Sequence, residues 1–271
     1  MTDDPGKPPK GDTFLRKYVP ALGRDVTRLG LATNYGLDEA GFRTAIDRGV
    51  NYFFWTAMRS SAATTVMKEA FRKDREKLVI ATGPTVGWFA GSVRRALESS
   101  LRKLGTDYID VFQLFWLGVG SAFRDPVVEE LVKLRDEGKV RAIGVSIHDR
   151  VRAGRLAEES PLDLLMIRYN AAHPGAERDI FPHLARRKPA VVAYTATSWR
   201  KLLKRPSGWD GPLATPGDCY RFCLTSPHVD VVLTGPKNEK ELVENLEALD
   251  KGALNSDEEN QLRAFGKAVH G

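Results

Sequence analysis

The stretch SLRKLGTDYIDVFQLFW (Ser100–Trp116) and, farther on, LRDEGKVRAIGVS (Leu134–Ser146) hold the alternation on which the fold is read. Ile109–Phe115 is a short run rich in apolar and β-branched residues, the composition of a buried strand. A stretch of helical period follows through Val127–Glu137, and Gly138-Lys139 ends it just before a second strand-like run, Arg141–Val145.

The same unit recurs in both directions. Upstream lie Leu29–Thr33, with a helix through Glu39–Arg48, then Tyr52–Trp55 and Lys77–Thr82, each with its helix; Gly49 and Asn51 mark the turn into Tyr52–Trp55. Downstream come Leu164–Tyr169, Ala190–Tyr194 and Val229–Leu233. Ser256, with Glu259 three residues on, reads as the capping box of a final helix. Strand and helix alternating eight times imply a parallel sheet covered by helices. Over 271 residues, closure into a single (β/α)₈ TIM barrel is the natural solution, although an open doubly wound sheet would give a similar pattern. Residues 1–22 read as a flexible N-terminal tail and 23–271 as one barrel that includes the C-terminal helix.

Composition narrows the partners. Hydrophobic residues at 42% and charged residues at 28% are those of a globular protein with a sizeable core. No run approaches the roughly 18 apolar residues that span a bilayer, and the N-terminus lacks the apolar core of a secretion signal, so no membrane partner is expected. The net charge of +6 is interleaved with acids and carries no aromatic-studded basic run, so no nucleic acid is expected either. Cys219 and Cys223 read as two unpaired thiols in a reducing cytoplasm. Five scattered histidines, His148, His173, His183, His228 and His270, have no metal-ligand spacing, and no metal site is expected.

In a barrel, function belongs at the carboxyl ends of the strands. His148, in His148-Asp149-Arg150, puts a group that titrates near neutrality on that face. Arg168 has the parity of Met166 and so points inward, where it could hold an anion or neutralise a barrel carboxylate such as Asp110. Tyr35 is a replacement acid or packs over the mouth; Asn34, Asn170 and His173 stand on the same face. Trp55, Phe115 and Trp116 read as an aromatic floor, which suits a small molecule with a flat or apolar part, or as a plug.

SLRKLGTDYIDVFQLFW resembles the signature segment of the aldo-keto reductases, LRDEGKVRAIGVS their next helix and strand, GVNYFFWTA (Gly49–Ala57) their second strand, and TGPKNEKELVENLEAL (Thr234–Leu249) their cofactor segment. The similarity runs in order from about Leu29 to Leu249. It implies a (β/α)₈ barrel and an NADP(H)-linked oxidoreductase, in which a Tyr, tuned by a Lys–Asp pair and assisted by a His, protonates the carbonyl oxygen. At those four positions this chain has Trp55 for Asp, Ser60 for Tyr, Gly83 for Lys and Phe115 for His. None of the replacements supplies the lost proton, so ordinary carbonyl reduction is expected to be negligible.

The resemblance further implies that NADP(H) would meet Ser146, Tyr194, Thr195, Gly235, Lys237, Glu244 and Asn245. Departures weaken it: Ile147 and Met166 stand where the family has carboxamide contacts, and Glu241 stands for a frequent Arg or Gln. Three readings follow: a formal oxidoreductase with a divergent proton donor, a non-redox isomerase, lyase or cyclase at the same mouth, and a non-catalytic NADP(H)- or small-molecule-binding regulator.

Overall fold

The computed structural model describes residues 13–270. The first two strands, β1 (Arg16–Val19) and β2 (Arg24–Thr27), form an antiparallel hairpin in which Arg16 pairs with Thr27. Gly23 takes the left-handed conformation (φ 64°) that the tight reversal between them requires. The remaining eight, β3 (Leu29–Ala32), β4 (Tyr52–Phe54), β5 (Val79–Thr82), β6 (Ile109–Leu114), β7 (Val140–Ile147), β8 (Leu164–Arg168), β9 (Ala190–Tyr194) and β10 (Val231–Thr234), are parallel and close into a barrel. Closure is made by β10, which pairs with both β3 and β9.

The helices among the described residues are α1 (Glu39–Asp47), α2 (Ser61–Lys73), α3 (Ala90–Leu104), α4 (Asp125–Asp136), α5 (Arg150–Glu159), α6 (Ala176–Asp179), α7 (Pro216–Thr225), α8 (Glu239–Glu247) and α9 (Ser256–His270). None is long and apolar enough to cross a membrane. Their starts follow local chemistry: Asp38 accepts from the Gly41 N–H at the head of α1, and Asn238 from the Glu241 N–H at the head of α8. The capping box of α9 lies one residue earlier than Ser256/Glu259, because Asn255 Oδ1 accepts from the Glu258 N–H while Glu258 accepts from the Asn255 N–H.

Strand alternation divides the core into two layers. Leu31, Phe53, Ile80, Phe112, Val145, Ile167 and Val191 face the helices, whereas Tyr52, Val79, Val111, Ala142, Leu164, Met166 and Val192 fill the barrel. Val19, Leu22 and Val26 of the hairpin join the inner layer and close its amino-terminal end. The expected tail over residues 1–22 is corrected accordingly. Residues 1–12 lie outside the described residues, but Arg16–Leu22 belongs to the hairpin, since an open barrel bottom leaves apolar surface to cover. Cys219 and Cys223 are buried free thiols on α7.

Candidate functional site at the barrel mouth

Trp55, Ser60, Gly83 and Phe115, the positions that the resemblance equates with catalytic residues, are engaged in the fold. Trp55 follows β4 with the parity of Phe53, so its side chain leaves the barrel and is 2% exposed in the layer between strands and helices. There its Nε1 donates to Thr64 Oγ1 on α2 at 2.9 Å. Ser60 is buried, with its hydroxyl 2.7 Å from that of Thr33. At Gly83 an added Cβ would sit 1.8 Å from the Gln113 carbonyl oxygen, so the neighbouring main chain fills the space of a side chain. Phe115 packs against Phe54 of β4, ring centroids 5.4 Å apart.

The aromatic floor of Trp55, Phe115 and Trp116 is therefore not formed. Trp55 faces α2, and Trp116 turns out to solvent at 59% exposure with φ 47°. Phe54 and Phe115 provide the aromatic surface instead. Phe54 was legible from the alternation with Tyr52, but the resemblance drew attention to its neighbour Trp55. Below them Gln113 is buried, its Nε2 directed at Met166 Sδ at 3.1 Å and its Oε1 without a partner among the described residues.

Across the mouth, β7, β8 and β9 end side by side. Arg168 is in register with Tyr194, and Ile147 with Ile167, so His148, Arg168 and Tyr194 emerge from three adjacent strands. The Tyr194 hydroxyl lies 3.0 Å from His148 Nε2, and the two rings meet edge to face. Burial pushes the Tyr194 phenol up to about 12 although Arg168 opposes it. Partial desolvation of the imidazole, whose residue is otherwise exposed, then the Arg168 charge, hold His148 below its ordinary value. His148 is exposed and does not cap α5, a role taken by Asp149, which accepts from the Arg152 N–H.

Arg168 points inward, as its parity with Met166 implies, but it does not neutralise Asp110. That carboxylate belongs to the amino-terminal end of the barrel, where Arg75 bonds it at 2.8 Å and Arg24 and Arg141 lie at 3.7 and 3.8 Å. Farther round, Asn170 donates to the Thr195 carbonyl and accepts from the Ala172 N–H, and its Oδ1 lies 3.1 Å from His173 Nδ1. Partial burial, then Arg168 and other nearby cations, hold His173 at about 4. Asn34 is half-buried where the chain leaves β3.

The residues that the resemblance assigns to a dinucleotide are largely engaged with other parts of the chain. Ser146 Oγ accepts from the Trp116 N–H at 3.2 Å, and Thr195 Oγ1 donates to the Tyr194 carbonyl. Asn245 is buried and donates to Thr234 Oγ1, which in turn donates to the Tyr220 hydroxyl. The Lys237 N–H donates to the Glu241 carboxylate at 2.9 Å, at the loop where a phosphate would be held. Glu244 is exposed, 3.8 Å from Lys240. Tyr35 is half exposed, and its ring lies so close over Gly235 that an added Cβ there would meet it at 2.6 Å. Ile147 faces the helices and not the mouth. Two cavities of about 540 and 410 Å³ lie elsewhere, the first against α2 and α3, the second among α6, α7 and α9.

The profile described as "Aldo/keto reductase family" matches residues 32–205. Methylglyoxal reductase YeaE of Escherichia coli is 29% identical over 184 residues, 65% of this chain and 64% of that protein. Aldo-keto reductase YhdN of Bacillus subtilis is 26% identical over 205 residues, 65% of this chain and 60% of that protein. The chain thus matches somewhat less than two thirds of the length of these curated relatives. Among solved structures, the holo form of an aldo-keto reductase from Bacillus halodurans superposes with a TM-score of 0.78 at 20% identity, covering 93% of this chain and 96% of that one. A glycerol dehydrogenase from Gluconobacter oxydans gives 0.76 at 19% identity, covering 96% and 98%. At those identities the structural likeness establishes the barrel.

Proposed function

This chain belongs to the aldo/keto reductase family, and we propose that it does not reduce carbonyls by the family's route and uses its barrel mouth to bind a small molecule. The packing at Trp55, Ser60, Gly83 and Phe115 carries this reading. A tryptophan bonded to α2, a serine bonded to Thr33, a glycine against main chain and a phenyl ring on Phe54 supply no acid to a carbonyl oxygen. General acid catalysis contributes about 10²–10⁴-fold to such reactions, so its loss alone reduces turnover by that order. Tyr194 and His148 do not replace it. Burial makes the phenol a weaker acid and favours the neutral imidazole, the reverse of the tuning that proton donation needs.

The residues around the family's dinucleotide position fit NADP(H) poorly. The Glu241 carboxylate sits on the Lys237 N–H and opposes a phosphate by like charge, and the Asn245 amide is already bonded to Thr234. A nicotinamide carboxamide facing Met166 would leave a polar group unpaired, at a cost of about 1–3 kcal/mol. NADP(H) binding in this reading is weak, and no step of chemistry is assigned to it. The buried free thiols of Cys219 and Cys223 support a reducing, cytoplasmic setting.

A calorimetric or fluorescence titration with NADPH, together with NADPH oxidation over a panel of methylglyoxal, glyceraldehyde and an aryl aldehyde, tests the reading. The expected result is weak binding and no oxidation above background. Brisk turnover of any of these carbonyls would overturn it.

A further inference from the structure

Arg168 is half-buried at the end of β8, facing into the mouth, and has neither ion pair nor hydrogen bond to any described residue. A guanidinium carries five donors and stays charged, so partial removal from water without an acceptor is costly. Its electrostatic neighbours add positive charge or are neutral: His148, His173 and Tyr194 all respond to Arg168, and His173 also responds to Lys201 and Arg150. Of these cations, Arg150 is already paired with Asp179, whereas Arg168 and Lys201 lack a carboxylate partner among the described residues. The loop that brings Lys201 to this side is held in a costly backbone shape. Thr195, Ser198, Trp199 and Arg200 all have positive φ, at 57°, 49°, 56° and 67°, and such strain gathers at ligand-binding segments. Across the mouth from this charged half, at the ends of β4 and β6, lies the apolar surface of Phe54 and Phe115, with β6 next to β7 in the barrel.

From this arrangement we propose that Arg168 anchors a site for a small anionic molecule, a carboxylate or a phosphate monoester. His148 and Tyr194 contact its headgroup, and the Phe54–Phe115 rings receive its apolar part. The bidentate geometry of guanidinium suits both headgroups, and no carboxylate among the described residues is paired with Arg168. The proposal deepens the reading of the mouth as a binding surface, but it concerns equilibrium binding without cofactor. Carbonyl turnover would therefore overturn that reading and leave this one standing.

The test is calorimetric titration of the full chain with benzoate, phenyl phosphate and the neutral isostere benzamide, repeated with Arg168→Met and with the remote control Arg102→Gln. Saturable binding of at least one anion is expected, with benzamide weaker by roughly tenfold or more, the size of one charge-assisted hydrogen bond. The tighter anion identifies the headgroup. Arg168→Met is expected to lose that preference and, because it removes an unpaired charge, to keep or raise the melting temperature; Arg102→Gln is expected to change neither. Binding of neither anion, equal binding of benzamide, equal loss in Arg102→Gln, or retained anion preference in Arg168→Met would each refute the proposal. So would a marked fall in melting temperature with Arg168→Met, which would assign the side chain to structure.

Discussion

Substituting Gly83 tests whether neighbouring main chain fills the position that the resemblance equates with a catalytic lysine. A Cβ there would lie 1.8 Å from the Gln113 carbonyl oxygen, 2.9 Å from its carbon and 3.0 Å from the Phe115 ring. A carbon and a carbonyl oxygen need about 3.3 Å, so roughly 1.5 Å must come from separating the ends of β5 and β6. The first of those neighbours is backbone and cannot rotate away. Overpacking typically costs about 1–3 kcal/mol, and this site belongs at the upper end. For a chain of this size about 3 kcal/mol lowers the melting temperature by about 6–12 °C. Gly83→Ala is therefore expected to melt several degrees below the parent in a calorimetric scan, and Gly83→Lys at least as far below. A Gly83→Ala protein that melts within about one degree of the parent would refute the argument, because the lysine position would then be vacant and not filled by main chain.

Trp55→Asp is expected to cost about 3–5 kcal/mol in urea unfolding, since it removes a large buried side chain and leaves a carboxylate among apolar neighbours; Trp55→Phe should cost less, which separates volume from charge. Glu241→Gln frees the Lys237 N–H from a carboxylate, and calorimetry should record NADPH affinity rising by roughly three- to tenfold, with unchanged affinity counting against the phosphate argument. Acid should destabilise the fold in two stages. His173 is held at about 4 against an ordinary 6.5, so the unfolded chain takes up the proton first and stability falls as pH drops from 6.5 towards 4. Glu76 is lowered to about 2 from 4.5, chiefly by its bonds to Arg141, then Tyr108 and Arg24, so its contribution is lost between those values. Urea titrations at pH 7, 5.5, 4 and about 2.5 check both stages, and His173→Gln should remove part of the first; an unaltered profile would exclude His173 as a cause.

Much of the barrel was legible from periodicity, because eight β-branched runs separated by amphipathic stretches leave few other ways to bury apolar surface. Strand ends shifted by a residue or two: Trp55, Phe115 and Tyr169 fall just outside their strands, and Arg141–Val145 lengthens to Val140–Ile147. The amino-terminal hairpin was not legible. RKYV and RDVT are short and half polar, and they become strands because Val19, Leu22 and Val26 have a barrel end to cover. Arg168 could be placed from alternation alone, since a strand's parity is local.

The sequence alone determined the alternation of strands and helices, the resemblance to the aldo-keto reductases and which residue types stand at positions 55, 60, 83 and 115, because residue type and spacing are properties of the chain. Only the tertiary structure decided what fills those positions and which charges stand alone. That Gln113 main chain fills the space beside Gly83, and that Asp110 pairs with Arg75 while Arg168 has no carboxylate partner among the described residues, depend on strands far apart in sequence. Closure of the barrel brings such partners together, and no local pattern records the distances that result.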